Sequence, residues 1–235
     1  MTLSYHDIPS RKATPVSVDK KLSAVSFAQR PKKFGIYRSI FKRMLDVSAI
    51  VIAAPVVVPV VAALAIGVAR DGGSPFYTQS RIGKDGRIFR MWKLRSMVRD
   101  ADRQMQDLLA RDPAAKAEWD RSQKLRHDPR ITRFGHFLRR SSLDELPQLW
   151  NVLTGDMSLV GPRPMMVNQQ TLYPGSAYYA LRPGITGYWQ TSGRNQTTFE
   201  ARAEYDTVYE EGLALSTDLR ILLRTVSVVL KGTGC

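Results

Sequence analysis

The 235-residue chain has one cysteine, Cys235, and three histidines. No internal disulfide can form, and a structural zinc site lacks the thiolates and imidazoles it needs. If a metal is used, a hard ion such as Mg²⁺ with oxygen ligands suits this composition better. Nucleotide-binding signatures are missing as well: there is no Walker A loop and no G-x-G-x-x-G following a strand. Ser141 and Ser142 lack a nearby histidine base, and no serine nucleophile elbow is present. Acidic residues are scarce, 21 against 35 Lys and Arg, which leaves a net charge of +14. Such an excess suits an anionic partner: nucleic acid, an anionic lipid surface, or phosphorylated substrates. Nucleic acid is disfavoured, because the charge is scattered around an apolar segment and no recognised nucleic-acid motif accompanies it.

That segment, Val47 to Ala69, carries no charge at all. About 20 apolar residues suffice for a helix to span a bilayer. Pro55 and Pro59 lie near its middle, where each removes a backbone N–H and crowds the preceding turn, so a kink or break is expected. Either a kinked helix crosses the membrane, or a helix–break–helix hairpin dips in and returns. Arg38, Lys42 and Arg43 precede the run, and Arg70, Arg81 and Lys84 follow it. Positive charge on both flanks favours the hairpin, with both ends cytoplasmic. Residues 1–33 mix Ser, Thr, Pro, Lys and Arg and read as a disordered basic arm. A secretory signal is a poor reading, since the apolar run starts near Val47 and no small-residue cleavage site clearly follows.

Beyond the membrane segment, Gly83-Lys84-Asp85-Gly86 marks a β-hairpin turn. Asp100 to Lys124 reads as two amphipathic helices parted at Asp112-Pro113, and a basic helix runs from about Thr132 to Arg140. A last helix covers about Leu219 to Leu230. In Arg139 to Leu149, RRSSLDELPQL, the adjacent acids Asp144 and Glu145 precede Pro147. Proline is tolerated in a helix's first turn, so a helix opening with Asp144 near its N-cap and closed by Gly155 satisfies the sequence. A carboxylate or a phosphate would suit the free N–H groups there; plain helix capping is the alternative. Three loops dense in Arg, Pro and Gly follow: Gly161 to Pro164, Arg182 to Gly187, and Ser192 to Asn195. Arginine forks on stiff loops point to a preorganised polyanion site, with solvated structural turns as the competing reading. Trp92, Trp119, Trp150 and Trp189 read as core residues or membrane-interface anchors.

In this order the segments resemble the bacterial sugar transferase family, the monotopic polyprenyl-phosphate phosphoglycosyl transferases, over roughly Phe41 to Lys231. The matching stretches are Lys42 to Asp46 (KRMLD), Phe76 to Gly83 (FYTQSRIG), Lys93 to Met97 (KLRSM), Ser142 to Gln148 (SLDELPQ), Gly155 to Ser158 (GDMS), Gly161 to Pro164 (GPRP), Arg182 to Gly184 (RPG) and Gly193 to Asn195 (GRN). Ser96 stands where the family often has Thr, and Ala54 where many members have Ser.

The resemblance implies an α+β, mainly helical fold: a Pro-broken re-entrant membrane helix hairpin, a small β-hairpin and a compact cytoplasmic catalytic domain. The expected divisions are the arm at 1–33, an amphipathic lead-in and membrane helix at 34–71, and the phosphoglycosyl transferase domain at 72–235. It also implies a reaction, in which a hexose-1-phosphate moves from a UDP-sugar to undecaprenyl phosphate at the cytoplasmic face of the bacterial inner membrane. Asp144 would be the nucleophile and a ligand of Mg²⁺, and Glu145 its companion. Arg139, Arg163, Arg182, Arg194 and Lys93 would bind phosphate or nucleotide. Anionic lipids are expected partners, a homo-oligomer is open, and galactose is slightly favoured over glucose by analogy. The rival reading is a membrane-anchored scaffold of polysaccharide assembly with an inert carboxylate pair.

Overall fold

The computed structural model describes residues 35–122, 125–192 and 199–230; the basic arm expected at 1–33 lies outside them. A short π-helical turn, Tyr37–Phe41, runs into α1, Lys42–Ala69. The expected break at Pro55 and Pro59 is not seen, for α1 is one continuous helix through both. Each proline deletes a single N–H, and their i,i+4 spacing puts both defects on one face, so the rest of the ladder carries the helix past them. Asp46, Ile50 and Val68 are buried, yet no residue between Ile50 and Val68 is.

β1, Phe76–Ile82, pairs antiparallel with β2, Ile88–Leu94, from Phe76↔Leu94 to Ile82↔Ile88. The turn between them falls on Lys84–Gly86, as the Gly-Lys-Asp-Gly signal indicates. α2, Ala101–Arg111, and α3, Pro113–Ser122, follow. They part at Asp112, whose Oδ1 accepts from the N–H groups of Ala114 and Ala115 at 2.8 and 3.0 Å. α4, Arg133–Arg140, begins where Thr132 Oγ1 caps the Gly135 N–H. The next helix differs from expectation. Asp144 does not open it: α5 is Gln148–Thr154 with Pro147 as N-cap, and Asp144 sits in a separate 3₁₀ turn, Leu143–Glu145. The Ser142 and Leu143 carbonyls take the N–H groups of Glu145 and Leu146, and Pro147 has no N–H to offer Leu143, so this turn closes with i→i+3 bonds. Gly155, at φ +90°, ends α5 as the sequence indicates.

β3, Ser158–Val160, pairs in parallel with β5, Gly184–Thr186, while the two-residue β4, Met165–Met166, joins the free edge of β1. The Gly161-Pro162-Arg163-Pro164 and Arg182-Pro183-Gly184 loops are therefore neighbours. Gly161 N–H donates to Thr186 O and Gly184 N–H to Pro162 O, both at 2.8 Å. The backbones cross so closely that a Cβ on Gly184 would lie 2.1 Å from the Gly161 nitrogen, which only glycine permits. α6 (Ala177–Ala180), α7 (Tyr188–Ser192), α8 (Arg202–Glu211) and α9 (Leu215–Leu230) complete the chain.

β2 is the hub. Buried Asn151 of α5 donates to Arg90 O at 2.8 Å and accepts from the Trp92 N–H at 2.9 Å, filling the strand's open edge. Ile50 of α1 packs in one apolar cluster with Phe89, Met91, Val152 and Met157. Val68, at the other end of α1, packs in another with Leu94 and Leu138. Polar contacts reinforce both ends. Near the start of α1, Arg43 caps the last carbonyls of α5, Val152 O and Leu153 O, and Asp46 accepts from Ser158 Oγ and the Leu159 N–H at 2.7 and 3.1 Å. Just past its end, Arg95 pairs with Asp71 at 2.6 Å and donates to Val68 O and Ser74 O.

Candidate active site

β2 and the 3₁₀ turn before α5 bring three charges together. Lys93 Nζ lies 2.8 Å from Glu145 Oε1 and 3.6 Å from Asp144 Oδ2. The local backbone helps to hold the acids there: Ser142, just before them, adopts the left-handed conformation at φ +57°, uncommon outside glycine. The two acids are then pushed in opposite directions. Burial lifts Asp144 above the usual carboxylate range, and the like charge of Glu145 adds to it, while Lys93 and Arg139 oppose without cancelling. Burial pushes Glu145 up as well, but Lys93, Arg163 and Arg81 outweigh it and hold Glu145 below its ordinary value. Neighbouring acids separated in this way can take different roles. Glu145 stays charged and fixes Lys93; Asp144 has the weaker tie to the ammonium.

Arg139 reaches the group from the end of α4, with Nε donating to Ser96 Oγ at 2.9 Å. The hydroxyl shared by Ser and Thr is what this contact uses. Arg163, on the Gly161–Pro164 loop, lines a cleft with Arg81, Lys93, Glu145 and Gln148. Arg182 turns elsewhere: its Nε donates to Gly155 O at 3.0 Å, at the closing end of α5, and no described contact joins it to the acids. Arg194 lies outside the described residues.

Two residues missed in the sequence complete the cationic wall. Arg81 sits on β1 within the FYTQSRIG stretch, where it was counted only as flanking charge. Arg202, at the start of α8, belongs to no motif. Its guanidinium stacks 4.1 Å from the Trp189 ring centre and 4.8 Å from that of Phe199, while Arg163 lies 5.7 Å from the same Trp189 ring. Trp189 is therefore the platform that spaces two arginines. Burial, with Arg163 and Arg81 nearby, pulls Arg202 down to about 10 despite Asp206. The Nε atoms of Arg81 and Arg202 are buried without a hydrogen-bond partner. Three close arginines with donors to spare form a site short of negative charge.

The site's fit to Mg²⁺ rests on its donor set. Asp144 and Glu145 are adjacent, and among the described residues no group of three or more acids, His or Cys joins to form a cage. One or two carboxylates with the remaining positions left to substrate phosphates and water is the usual Mg²⁺ arrangement, so the residues fit a shared site.

The family model described as Bacterial sugar transferase matches residues 37–232. The chain belongs to the bacterial sugar transferase family. It is 46% identical to the UDP-galactose-lipid carrier transferase of Erwinia amylovora, over 82% of this chain and 41% of that protein. It is 42% identical to the undecaprenyl-phosphate galactose phosphotransferase of Salmonella typhimurium, over 89% and 43%. With the exopolysaccharide production protein ExoY of Sinorhizobium fredii it shares 41% identity over 87% of this chain and 93% of the relative. The chain thus spans about two fifths of the first two relatives and nearly all of the third. In this bacterial sugar transferase the KRMLD stretch is a tether: Lys42, Arg43 and Asp46 each bond the body of the protein. The KLRSM stretch is a junction, with Lys93 facing the acids, Arg95 the end of α1, and Ser96 Arg139.

Proposed function

We propose that this family member transfers a hexose-1-phosphate from a UDP-sugar to undecaprenyl phosphate at the cytoplasmic face of the bacterial inner membrane, through a covalent intermediate on Asp144. The observation that carries this reading is the Lys93–Glu145 pair lining one cleft with Arg81 and Arg163, with Asp144 3.6 Å from the same ammonium. The relatives named for undecaprenyl-phosphate and lipid-carrier galactose transfer supply the substrate class.

The arginines take the diphosphate and leave the sugar-linked phosphorus facing Asp144. A carboxylate oxygen of Asp144 attacks it. The P–O bond to the UMP portion breaks, and UMP departs with that electron pair. An oxygen of the carrier phosphate then attacks the same phosphorus, the Asp144–phosphorus bond breaks, and the carboxylate is restored. Splitting the displacement avoids bringing two polyanions together at once. Lys93 and the arginines offset the charge that builds on the phosphoryl oxygens. Mg²⁺, held by Asp144 and Glu145 with substrate phosphates, would add Lewis-acid polarisation.

The membrane arrangement serves this chemistry. α1 is apolar and long enough to enter a bilayer. Ile50 and Val68 are 18 residues apart, about 27 Å along a straight helix, yet both pack into clusters centred on β2. α1 is thus held at both ends by one body, while many of its apolar side chains between those ends, such as Ile52, Val56 and Val58, stay exposed. This supports a re-entrant helix that enters and leaves the bilayer on one side, as the flanking charges do. Exposed Trp150, on the helix that Arg43 caps, and Phe137, stacked on Phe134 below Gly67, suit interfacial anchors at the two ends. The cleft then lies at headgroup level, where the carrier's phosphate is. Galactose is the favoured hexose, on the names of the first two relatives.

The test is UMP release by detergent-solubilised protein with undecaprenyl phosphate, Mg²⁺ and a panel of UDP-sugars, with Asp144→Asn alongside. Release that requires Asp144 supports the reading, and the preferred donor names the sugar. No release with any donor would favour the scaffold instead.

A further inference from the structure

α9 presents three distinct faces. Asp218 and Ile221 are buried against the body, and Thr225 hydrogen-bonds Thr186. Leu215, Leu219, Leu223 and Val226 are all exposed, Leu223 most of all at 74%. At 3.6 residues per turn these four fall within an arc of roughly 80°. Ser216, Ser227, Arg220 and Arg224, also exposed, occupy the sector beyond it. A solvent-facing helix has no reason to line up four large aliphatic side chains in one stripe.

The position of the stripe identifies its neighbour. On the stripe's other edge, away from the arginines, lies Asp218. Its Oδ2 accepts from Lys42 Nζ at 2.6 Å and from the Tyr37 hydroxyl at 2.7 Å, at the foot of α1. That foot itself exposes Ile36, Ile40, Phe41, Met44 and Leu45. The stripe and the exposed apolar foot of α1 therefore belong to elements joined through Asp218, with a basic rim on the stripe's far side.

We infer that α9 is a second membrane contact, lying in the plane of the bilayer with its stripe at the headgroup–acyl boundary and Arg220 and Arg224 toward anionic lipid phosphates. This rests on the reading of α1 as a membrane segment. One attachment leaves a body free to tilt; a second, on another helix beside the first, sets the height and angle of the cleft above the bilayer.

The test uses the full chain carrying Cys235→Ser, in vesicles of phosphatidylethanolamine and phosphatidylglycerol. Leu223→Cys, Ser216→Cys and Val56→Cys are each labelled with a small environment-sensitive fluorophore, and the lipids carry nitroxides at shallow or deep positions. The expected result is shallow quenching at position 223 on the order of twofold greater than at 216, with deep quenching at 56. Quenching at 56 but no more at 223 than at 216 overturns the inference and leaves α1 in the membrane. Shielding of 223 from both lipid nitroxide and aqueous iodide assigns the stripe to a second copy of the chain and overturns it too. No quenching at 56 removes the membrane reading of α1, and this inference with it.

Discussion

At the foot of α1 and in the cleft the protein buries charge in two different ways. Asp218 receives Lys42, Tyr37 and Tyr209, so that one carboxylate ties α1, α8 and α9 together with its oxygens satisfied. In and beside the cleft Arg81, Arg163 and Arg202 crowd one another, and two of them keep a buried Nε with no partner. A matched network binds elements together. One in which cations outnumber acids and donors stay unpaired costs stability and waits for a ligand of negative charge. The foot therefore belongs to structure and the cleft to chemistry, and variants of each should fail in different ways.

The largest expected effect lies in the cleft. Asp144→Asn should lower UMP release on the order of 10⁴-fold with no loss of thermal stability, since it removes a charge that burial disfavours. A melting temperature that fell along with activity would place Asp144 among the structural groups. Next, Asp218→Ala should cost roughly 3–5 kcal/mol, because it strands Lys42. For a chain of this size that is a drop of roughly 6–20 °C in Tm, with turnover per folded molecule kept at low temperature. Unchanged stability would break the comparison from the other side. Arg163→Ala should reduce kcat/KM about 10²-fold and leave Tm level or raised, because it relieves repulsion on Arg202.

The smallest effect is a pH dependence of stability beside the cleft. Burial lifts Asp206 to about 7, against the Tyr173 hydroxyl at 2.9 Å and Arg202. Between its ordinary 3.8 and about 7 the folded state holds a proton that the unfolded chain has released. Stability therefore falls as pH rises through that window. Asp206→Asn should flatten the Tm profile between pH 4 and 7, and an unchanged slope would show that Asp206 is not its source.

Much of the architecture was legible along the chain because it rests on local rules. The turn at Gly83–Gly86, the parting at Asp112, the start of a helix near Thr132 and the Gly155 stop each follow from one or two residues and their neighbours. Pro55 and Pro59 misled, since two lost N–H groups on one face did not end a helix of 28 residues. Asp144 falls in the turn before α5 and not at its N-cap, because local spacing does not distinguish the i→i+3 bonds to Ser142 O and Leu143 O from an α-helical start. Lys93, Glu145 and Arg163 were named from their motifs and the structure joins them. Arg182 turned out to face Gly155. Arg202 had no local sign, for nothing in the composition around it says that Trp189 will lie beneath it.

By itself, then, the sequence determined which segments form helix, hairpin and turn, that one segment is apolar enough for a membrane, and which acids and bases sit in motifs. Those properties depend on backbone sterics, hydrophobicity and spacing within a few residues. Only the tertiary structure decided that both ends of α1 return to β2, that β2 carries Lys93 between two acids, and that Trp189 spaces Arg163 from Arg202. These depend on contacts across long stretches of chain, where burial and neighbouring charge set the properties of a side chain that its own segment leaves open.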